Sequence, residues 1–275
     1  MSTTTAFAAG LIQLNWPYGD SIEERRAHVS DRIDALGDVD LIVLPELWTA
    51  GFFRFDDYAD VSEPLDGPTV SLAAEHARSS ASYVLTGSFV ERGATGLYNT
   101  SVLLSPEGKP LLTYRKVHLF GYQSREPQVL TPGRDISVVA TDLGRIGVST
   151  CYDLRFPEFY RTLADQNVEC VLIPAAWPYA RVEHWRLLLR ARALENQAFV
   201  LGCNVSGDDN GAVYGGASAV IAPDARVLAE AGHDAEDLKT CIDMSRLHAY
   251  REDFPVLRDR VLRTPSNSPV AEVAE

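Results

Sequence analysis

The stretch DLIVLP, residues 40–45, has a counterpart far along the chain in ECVLIP, residues 169–174. Both are short apolar runs that start at an acidic residue and end at proline, which is typical of buried strands in α/β proteins. Two more pairs follow in the same order: YVLTGS (83–88) with FVLGCN (199–204), and SVLLSPEG (101–108) with SAVIAPDA (218–225). The offsets of 116 to 129 residues predict two related halves, each a sheet covered by helices, packed sheet against sheet in four layers. Chance similarity between apolar strands is the alternative.

The apolar pattern predicts both types of secondary structure around these pairs. Strands are predicted over 11–15, 40–46, 82–90, 99–105, 145–150, 169–177, 198–205 and 216–222. Helices are predicted from residue 20 or 21 to 36 with Gly37 as the stop, from Pro68, after Pro157, and over 182–197. In the last helix an apolar stripe is predicted from the spacing of Trp185, Leu188, Leu189 and Leu194.

Composition indicates a folded chain with a substantial hydrophobic core and an acidic net charge. The 275 residues are 46% hydrophobic and carry a formal net charge of −13. Nucleic acids and anionic membranes attract basic surfaces, so neither is expected as a partner. We expect a single domain over 1–275, with a core of about 6–245, a C-terminal extension over 246–275, and a loosely held tail from 263.

No apolar run approaches the roughly 20 residues of a membrane span, and MSTTTAFAAG lacks the pattern of a signal peptide. The expected location is therefore cytoplasmic. The cysteines, Cys151, Cys170, Cys203 and Cys241, form no CxxC pair, which predicts reduced thiols and no metal site. All but Cys151 are predicted to lie in the core.

Three predicted strands each run into a reactive side chain. LIVLPE ends at Glu46, LLTYRK at Lys116, and RIGVST leads into Cys151. Because α/β sheets gather ligand sites at the carboxyl ends of their strands, these side chains are expected to converge. Alternatively, Glu46 is a solvated carboxylate, Lys116 a surface lysine and Cys151 a small buried hydrophobe at a strand end.

The chemistry of these three groups is coherent. A thiol is only slightly ionised at neutral pH and needs a base or a nearby cation to act as a nucleophile. Glu46 would take the thiol proton and Lys116 would stabilise the charge that develops. Cys151 would then attack an amide carbonyl, and the backbone N–H of Tyr152 is a candidate second donor to the oxyanion.

The blocks LPELW, YRKVHLF and CYDLRFPE resemble the signature blocks of the nitrilase superfamily, the carbon–nitrogen hydrolases. Lys116 follows Glu46 by 70 residues and Cys151 follows Lys116 by 35, in the order of that family. The resemblance extends from about residue 6 to about residue 260, through HWRLLLRARALENQ and YREDFPVLRDR. It implies an αββα sandwich, a Glu-Lys-Cys triad, no cofactor, and subunits paired into homodimers or higher homo-oligomers.

Within the superfamily the blocks most resemble the omega-amidase-like branch. The resemblance assigns Glu126, in REPQVLTPG, as a fourth catalytic residue that positions the lysine or the substrate. True nitrilases tend to have Trp-Glu after the cysteine, whereas this chain has Tyr152 and Asp153. That difference favours a small-molecule amide as substrate, with an omega-amide of a dicarboxylic acid as a candidate. A nitrilase or an N-carbamoyl hydrolase of the same superfamily is the alternative.

Aromatic residues near the blocks are the candidate substrate-binding residues. They are Tyr152, Trp177 and Phe52, with Phe53 and Phe120 as further candidates. A carboxylate at the far end of the substrate has three candidate partners: Arg54, Arg125 and Arg181. The charged residues after the nucleophile, Asp153, Arg155 and Glu158, are expected to form an ion-pair network that fixes the turn.

Two other functions stay open at this point. A Cys-His thiol hydrolase would use His118 or His184 as the base, because histidine is the commonest general base. His184 is instead expected to be a structural or dimer-contact residue. A non-catalytic binding or scaffold module on the same fold is the other possibility, since a fold does not by itself imply a function.

Overall fold

The computed structural model describes residues 5–15, 21–209 and 211–262; the tail predicted from residue 263 lies outside the described residues. The strands in chain order are β1 Ala6–Gln13, β2 Leu41–Val43, β3 Tyr83–Leu85, β4 Phe89–Gly93, β5 Gly96–Leu104, β6 Pro110–Arg115, β7 Val138–Thr141, β8 Gly144–Val148, β9 Cys170–Ala175, β10 Phe199–Asn204, β11 Ser206–Asp209, β12 Ala212–Gly215, β13 Ala219–Ile221, β14 Val227–Glu230 and β15 Glu236–Asp243. The α-helices are α1 Ile22–Leu36, α2 Tyr58–Val61, α3 Pro68–Ser80, α4 Glu126–Val129, α5 Pro157–Asp165, α6 Val182–Asn196 and α7 Met244–Asp253. Short 3-10 helices span Cys151–Arg155 and Tyr179–Arg181.

The strands form two large sheets with matching topology. One has the order β15-β1-β2-β3-β5-β4, with β6 also paired to β5, and the other has the order β14-β13-β10-β9-β8-β7. In the first, β1, β2 and β3 are parallel and β5 and β6 follow antiparallel. In the second, β8, β9 and β10 are parallel and β13 and β14 follow antiparallel. The three sequence pairs fall on β2/β9, β3/β10 and β5/β13, so the predicted relation between the halves is reproduced in the fold.

The helices cover the outer faces of the two sheets. Val29 and Ile33 of α1 pack with α3 residues against one face of the first sheet. The other face of that sheet, with Leu11 and Val43, packs against residues of the second sheet. Trp185 of α6 joins the same core on the far side of the second sheet. This αββα order confirms the predicted fold class.

Local sequence signals set the helix boundaries. Ser21 and Glu24 form a reciprocal capping box before α1, and Gly37 at φ +70° ends that helix. Pro68 occupies the first turn of α3, where its missing N–H costs nothing. Pro157 plays the same part in α5. These positions agree with the predicted helices to within one or two residues.

The predicted strand over 82–90 was wrong as one element, because it divides into β3 and β4. Gly87 lies between them at φ +68°, a left-handed conformation that favours glycine. A Cβ there would lie 2.0 Å from the carbonyl oxygen of Pro45. The turn at Gly87 therefore brings the chain against the segment that leads to Glu46.

Two of the predicted core positions face outward. Leu194, assigned to the apolar stripe of α6, is 48% exposed, whereas Trp185 and Leu189 are fully buried. Cys241 is exposed on β15, the edge strand of the first sheet, whereas Cys170 and Cys203 are buried. Both predictions were wrong because the spacing of apolar residues identifies the buried face of a helix or strand but does not show where along the element that burial ends.

The helices of the described residues are too short to cross a membrane. The longest, α1 and α6, have 15 residues each, and none is both long and apolar enough to cross a bilayer.

Candidate functional site

Glu46 lies on a tight loop just beyond β2, at the end of the molecule where the two sheets meet. Its backbone N–H donates to the carbonyl of Ala175 at 3.4 Å, and its Oε2 accepts from the N–H of Ala176 at 2.8 Å. On the other side, Leu47 N donates to Ser88 Oγ at 3.0 Å. The loop is thus tied to both sheets, and the carboxylate is held in a fixed orientation with no solvent exposure.

Lys116 follows β6, which runs antiparallel to β5 and therefore points the same way as β3. This direction brings its side chain to the same end of the sheet as Glu46. The ammonium nitrogen donates to Glu46 Oε1 at 2.8 Å and to Glu126 Oε1 and Oε2 at 3.0 and 3.1 Å. Glu126, at the start of α4, also accepts from the N–H of Phe120 at 2.6 Å. Three fully buried charges therefore form one cluster.

Cys151 sits at the sharp turn between β8 and the 3-10 helix that follows. Its φ of +47° is in the left-handed region, which is strained for a residue with a side chain. The thiol faces the carboxylate of Glu46 and the N–H of Ala176. The first N–H groups of a helical segment have no partner within it, so the N–H of Tyr152 stays the candidate donor to the oxyanion.

Asp153 holds this turn in place. Its carboxylate accepts from the N–H of Thr150 at 2.9 Å, the hydroxyl of Tyr114 at 2.5 Å and the N–H of His118 at 2.9 Å. The predicted network of three charged residues was wrong in part, since only Asp153 acts this way. Glu158 is exposed at the start of α5.

The electrostatics of the cluster favour a neutral thiol and a charged lysine. Burial and the Glu46 carboxylate raise the pKa of the Cys151 thiol well above its usual value, with Lys116 opposing them. Burial alone would lower the pKa of Lys116, but the carboxylates of Glu126 and Glu46 outweigh it and raise that pKa. Burial raises the pKa of Glu126, and Glu46 adds to this, while Lys116 counteracts it.

A cavity of about 120 Å³ opens onto Cys151. It is lined by Phe52, Phe53, Phe120, Tyr122, Gln123, Tyr152, Arg155, Ala176, Trp177, Pro178 and Arg181. The predicted pocket residues Tyr152, Trp177 and Phe52 all lie in this wall, together with Phe53 and Phe120. Pockets that enclose drug-sized ligands start at roughly 300 Å³, so this volume fits a molecule of a few carbon atoms.

Two arginines line this cavity, and only Arg181 was among the three candidates. Arg54 instead pairs with Asp209 at 3.2 Å, and Arg125 pairs with Asp56 at 2.8 Å on the surface. Arg155 was expected in the network behind the turn, but its guanidinium lies 4.5 Å from the ring centre of Trp177. The sequence did not reveal this position, because a residue in a helical turn after the nucleophile has no pattern that fixes its direction.

Arg155 and Arg181 have no carboxylate partner among the described residues. Neither takes part in an ion pair there, and Arg181 lies 5.1 Å over the ring of Tyr122. Burial lowers the pKa of Arg155, and the charge of Arg181 adds to that shift. Two guanidinium groups that line one cavity suit the binding of a carboxylate.

The histidines stand apart from the thiol. His118 Nδ1 lies 2.8 Å from Asp153 Oδ1, and its ring stacks on Phe156 with centroids 3.9 Å apart. His184 is exposed on α6. Neither lines the cavity at Cys151. Over the residues that the structure describes, no group of three His, Cys, Asp or Glu side chains is placed to hold a metal ion.

Sequence reasoning missed Asn99 and Ala176. Asn99, on β5, donates from Nδ2 to Glu46 Oε1 at 2.9 Å and to Glu126 Oε1 at 3.3 Å. A signal was present, since a polar amide at the start of the predicted strand NTSVLLS needs a partner if the strand is buried. For the backbone N–H of Ala176 no side-chain signal exists.

A cysteine, a glutamate and a lysine lie together beneath one small cavity in an αββα sandwich, an arrangement that suits nucleophilic catalysis. The chain belongs to the carbon–nitrogen hydrolase family, whose model matches residues 9–252.

Three known proteins illustrate the relationship. The chain is 37% identical over 257 residues to the 2-oxoglutaramate amidase of Paenarthrobacter nicotinovorans, covering 90% of this chain and 87% of the relative. It is 32% identical over 266 residues to the omega-amidase NIT2 of Mus musculus, covering 93% and 95%. The crystal structure of a CN-hydrolase superfamily protein from Xanthomonas campestris superimposes with a TM-score of 0.88 at 30% identity, covering 95% of this chain and 99% of that one. The family and enzyme class predicted from the sequence are confirmed.

Proposed function

We propose that the protein is an amidase that hydrolyses a small carboxamide to a carboxylic acid and ammonia through a thioester on Cys151. The observation that carries this proposal is the position of Glu46, which contacts both the Lys116 ammonium and the Cys151 thiol at the inner end of the cavity. The base thus lies between the cation and the nucleophile, an arrangement that suits nucleophilic catalysis.

The first step is attack of the thiol sulfur on the amide carbonyl carbon. Because the pKa of Cys151 is raised, the thiol enters the reaction with its proton, and the Glu46 carboxylate removes that proton as the S–C bond forms. The raised pKa of Lys116 keeps it an ammonium ion throughout. It therefore supplies fixed positive charge near the developing oxyanion instead of a proton, with the N–H of Tyr152 as the second donor.

The second half returns the enzyme to its starting state. The protonated Glu46 gives its proton to the amide nitrogen, the C–N bond breaks, and ammonia leaves. Glu46 then takes a proton from water, whose oxygen attacks the thioester carbonyl. The C–S bond breaks, the acid is released, and the proton returns to the thiol. Glu126 acts through Lys116, whose ammonium it holds with both oxygens.

The substrate we propose is an omega-amide of a dicarboxylic acid. Arg155 and Arg181 provide an anion site in the same cavity as the nucleophile, which suits a carboxylate at the far end of a short chain. The relatives named as 2-oxoglutaramate amidase and omega-amidase support the same choice. Nitriles and N-carbamoyl compounds are the alternatives within the family, and a scaffold role is opposed by the complete cluster of Glu46, Lys116 and Cys151.

The test measures ammonia release with a matched pair of amides. Succinamate has a carboxylate where butyramide has a methyl group. The expected result is release from succinamate with a kcat/KM well above that for butyramide, and no release by the Cys151→Ala variant. Release only from nitriles or carbamoyl compounds would overturn the amidase assignment, and turnover by Cys151→Ala would overturn the thioester route.

The domain extent, assembly and location stay predictions. We propose one catalytic domain, because strands from both ends of the chain, β1 and β15, pair along eight residues.

We propose a homodimer or higher homo-oligomer, supported by the exposed Leu187 and Leu194 on α6. Light scattering of the purified protein measures the mass directly, and a mass of one chain would refute assembly. The proposed cytoplasmic location rests on the sequence alone.

A further inference from the structure

Asn99 lies between the two carboxylates of the site. It occupies β5 and is 1% exposed. Its amide nitrogen donates to Glu46 Oε1 at 2.9 Å and to Glu126 Oε1 at 3.3 Å. An amide nitrogen has two hydrogens, so each carboxylate can receive its own bond.

Lys116 bridges the same two oxygens from another direction. Its ammonium reaches Glu46 Oε1 at 2.8 Å and Glu126 Oε1 at 3.0 Å. Two donors and two acceptors thus form a closed ring of four groups. Lys116 supplies the charge in that ring, and Asn99 supplies donors without adding charge.

The orientation of the Asn99 amide carries a second clue. Its Oδ1 is buried and has no hydrogen-bond partner in the part of the chain that the structure describes. A buried acceptor without a partner destabilises the fold. The opposite orientation would place Oδ1 against two carboxylate oxygens, which accept hydrogen bonds and, when ionised, cannot donate them. The amide is therefore oriented by its NH₂ group, which must face the carboxylates, and this orientation leaves Oδ1 without a partner among the described residues.

We infer that Asn99 is a positioning residue for the proposed amide hydrolysis. It holds Glu46 Oε1 beside Lys116, which leaves Oε2 on the Ala176 N–H that also faces the Cys151 thiol. Its two donor hydrogens match a carboxylate that only accepts, which is the form of Glu46 that takes the thiol proton. This inference rests on the proposed function and adds a residue outside the Glu-Lys-Cys triad and Glu126.

Two variants of Asn99 and one control on the same strand test this inference. Asn99→Leu removes both bonds at similar volume, and Asn99→Asp replaces the donor with a third carboxylate. Ser101→Ala is the control, because Ser101 is buried two residues further along β5 and lies on the same face. Folding of each variant is verified by circular dichroism and thermal unfolding.

The expected result with succinamate differs between the variants. Asn99→Leu lowers kcat by about 10- to 100-fold, the range for hydrogen bonds to charged groups, and moves the acid limb of the kcat/KM profile to higher pH. For Asn99→Asp, the activity relative to the wild type falls as the pH rises, because the new carboxyl group ionises. Ser101→Ala keeps the wild-type profile. Asn99 variants with a kcat close to wild type or an unchanged pH profile would overturn the inference.

A second readout does not depend on the substrate. Iodoacetamide alkylates the thiolate of Cys151, and peptide mass spectrometry separates this from alkylation of the exposed Cys241. With a third carboxylate nearby, alkylation of Cys151 in Asn99→Asp shifts to higher pH, while Cys241 in the same protein is unaffected. An unshifted Cys151 profile refutes the role of Asn99 even where the wild type releases ammonia. A wild type that releases none refutes the proposed function instead.

Discussion

Replacing Lys116 with methionine tests the charge balance of the site. Methionine keeps most of the volume of the side chain but removes an ammonium that makes contacts of 2.8, 3.0 and 3.1 Å to two carboxylates. Lys116 and both glutamates are at most 1% exposed, so water cannot replace the lost partner. Removing one partner of a buried ion pair costs about 3–5 kcal/mol, a large part of the 5–15 kcal/mol that stabilises a typical domain.

The pH dependence of that loss has a definite sign. The pKa of Glu126 is already raised by burial, and the variant removes the cation that lowers it. A carboxyl group whose folded-state pKa lies above the unfolded value of about 4.3 contributes stability that is present below that value. This stability is lost as the pH rises through the folded-state pKa. The Lys116→Met variant is therefore destabilised more at about pH 7.5 than at about pH 5.

Urea unfolding of the wild type and the variant at the two pH values measures both effects. Glu126→Gln is the matched control, because Glu46 and Lys116 remain as a pair of opposite charges. We expect the free energy of unfolding of this variant to differ from that of the wild type by about 1 kcal/mol or less. The double variant Lys116→Met/Glu126→Gln should recover part of the loss, because it removes one uncompensated buried charge. A loss below about 1 kcal/mol in Lys116→Met, or one that does not vary with pH, would refute a buried charge cluster held together by Lys116.

Three further predictions address the anion site, the loop that carries Glu46 and the rival base. Arg155→Ala should lower kcat/KM for succinamate about 10- to 100-fold and leave kcat/KM for butyramide nearly unchanged. The control Arg125→Ala, at an exposed ion pair, should change neither value. Equal losses of kcat/KM for both amides would argue against carboxylate binding. Gly87→Ala should destabilise the fold by about 1–3 kcal/mol and reduce kcat, because its Cβ would collide with Pro45 O at 2.0 Å; an unchanged urea midpoint would contradict this. His184→Ala should release ammonia at the wild-type rate. A variant that no longer releases ammonia would support the Cys-His mechanism instead.

The sequence predicted most of the fold because the relevant signals are local. The apolar runs of β2 and β9 are readable from a few residues each, and the caps at Ser21 and Gly37 act within one helical turn. The elements it missed are mainly edge or short strands such as β7 and β14. Their half-exposed residues give a weak apolar pattern.

Three of the site residues followed from the motif blocks, but the partners of charged and polar groups did not. Asn99 reaches Glu46 across 53 residues of sequence, and the Ala176 N–H reaches it across 130. Arg155 was assigned to the wrong environment for the same reason, since its surroundings come from Trp177.

The sequence by itself determined the order of the central strands and of the main helices around them, the relation between the two halves, and the reactive groups that follow β2, β6 and β8. These depend on backbone conformation and on the periodicity of neighbouring residues. Only the tertiary structure decided that Arg155 and Arg181 share a cavity with Cys151, that Asn99 joins two carboxylates, and that Cys241 is exposed. The physical reason is that burial, hydrogen bonding and electrostatic interaction depend on distances between segments far apart in the chain, and folding alone sets those distances.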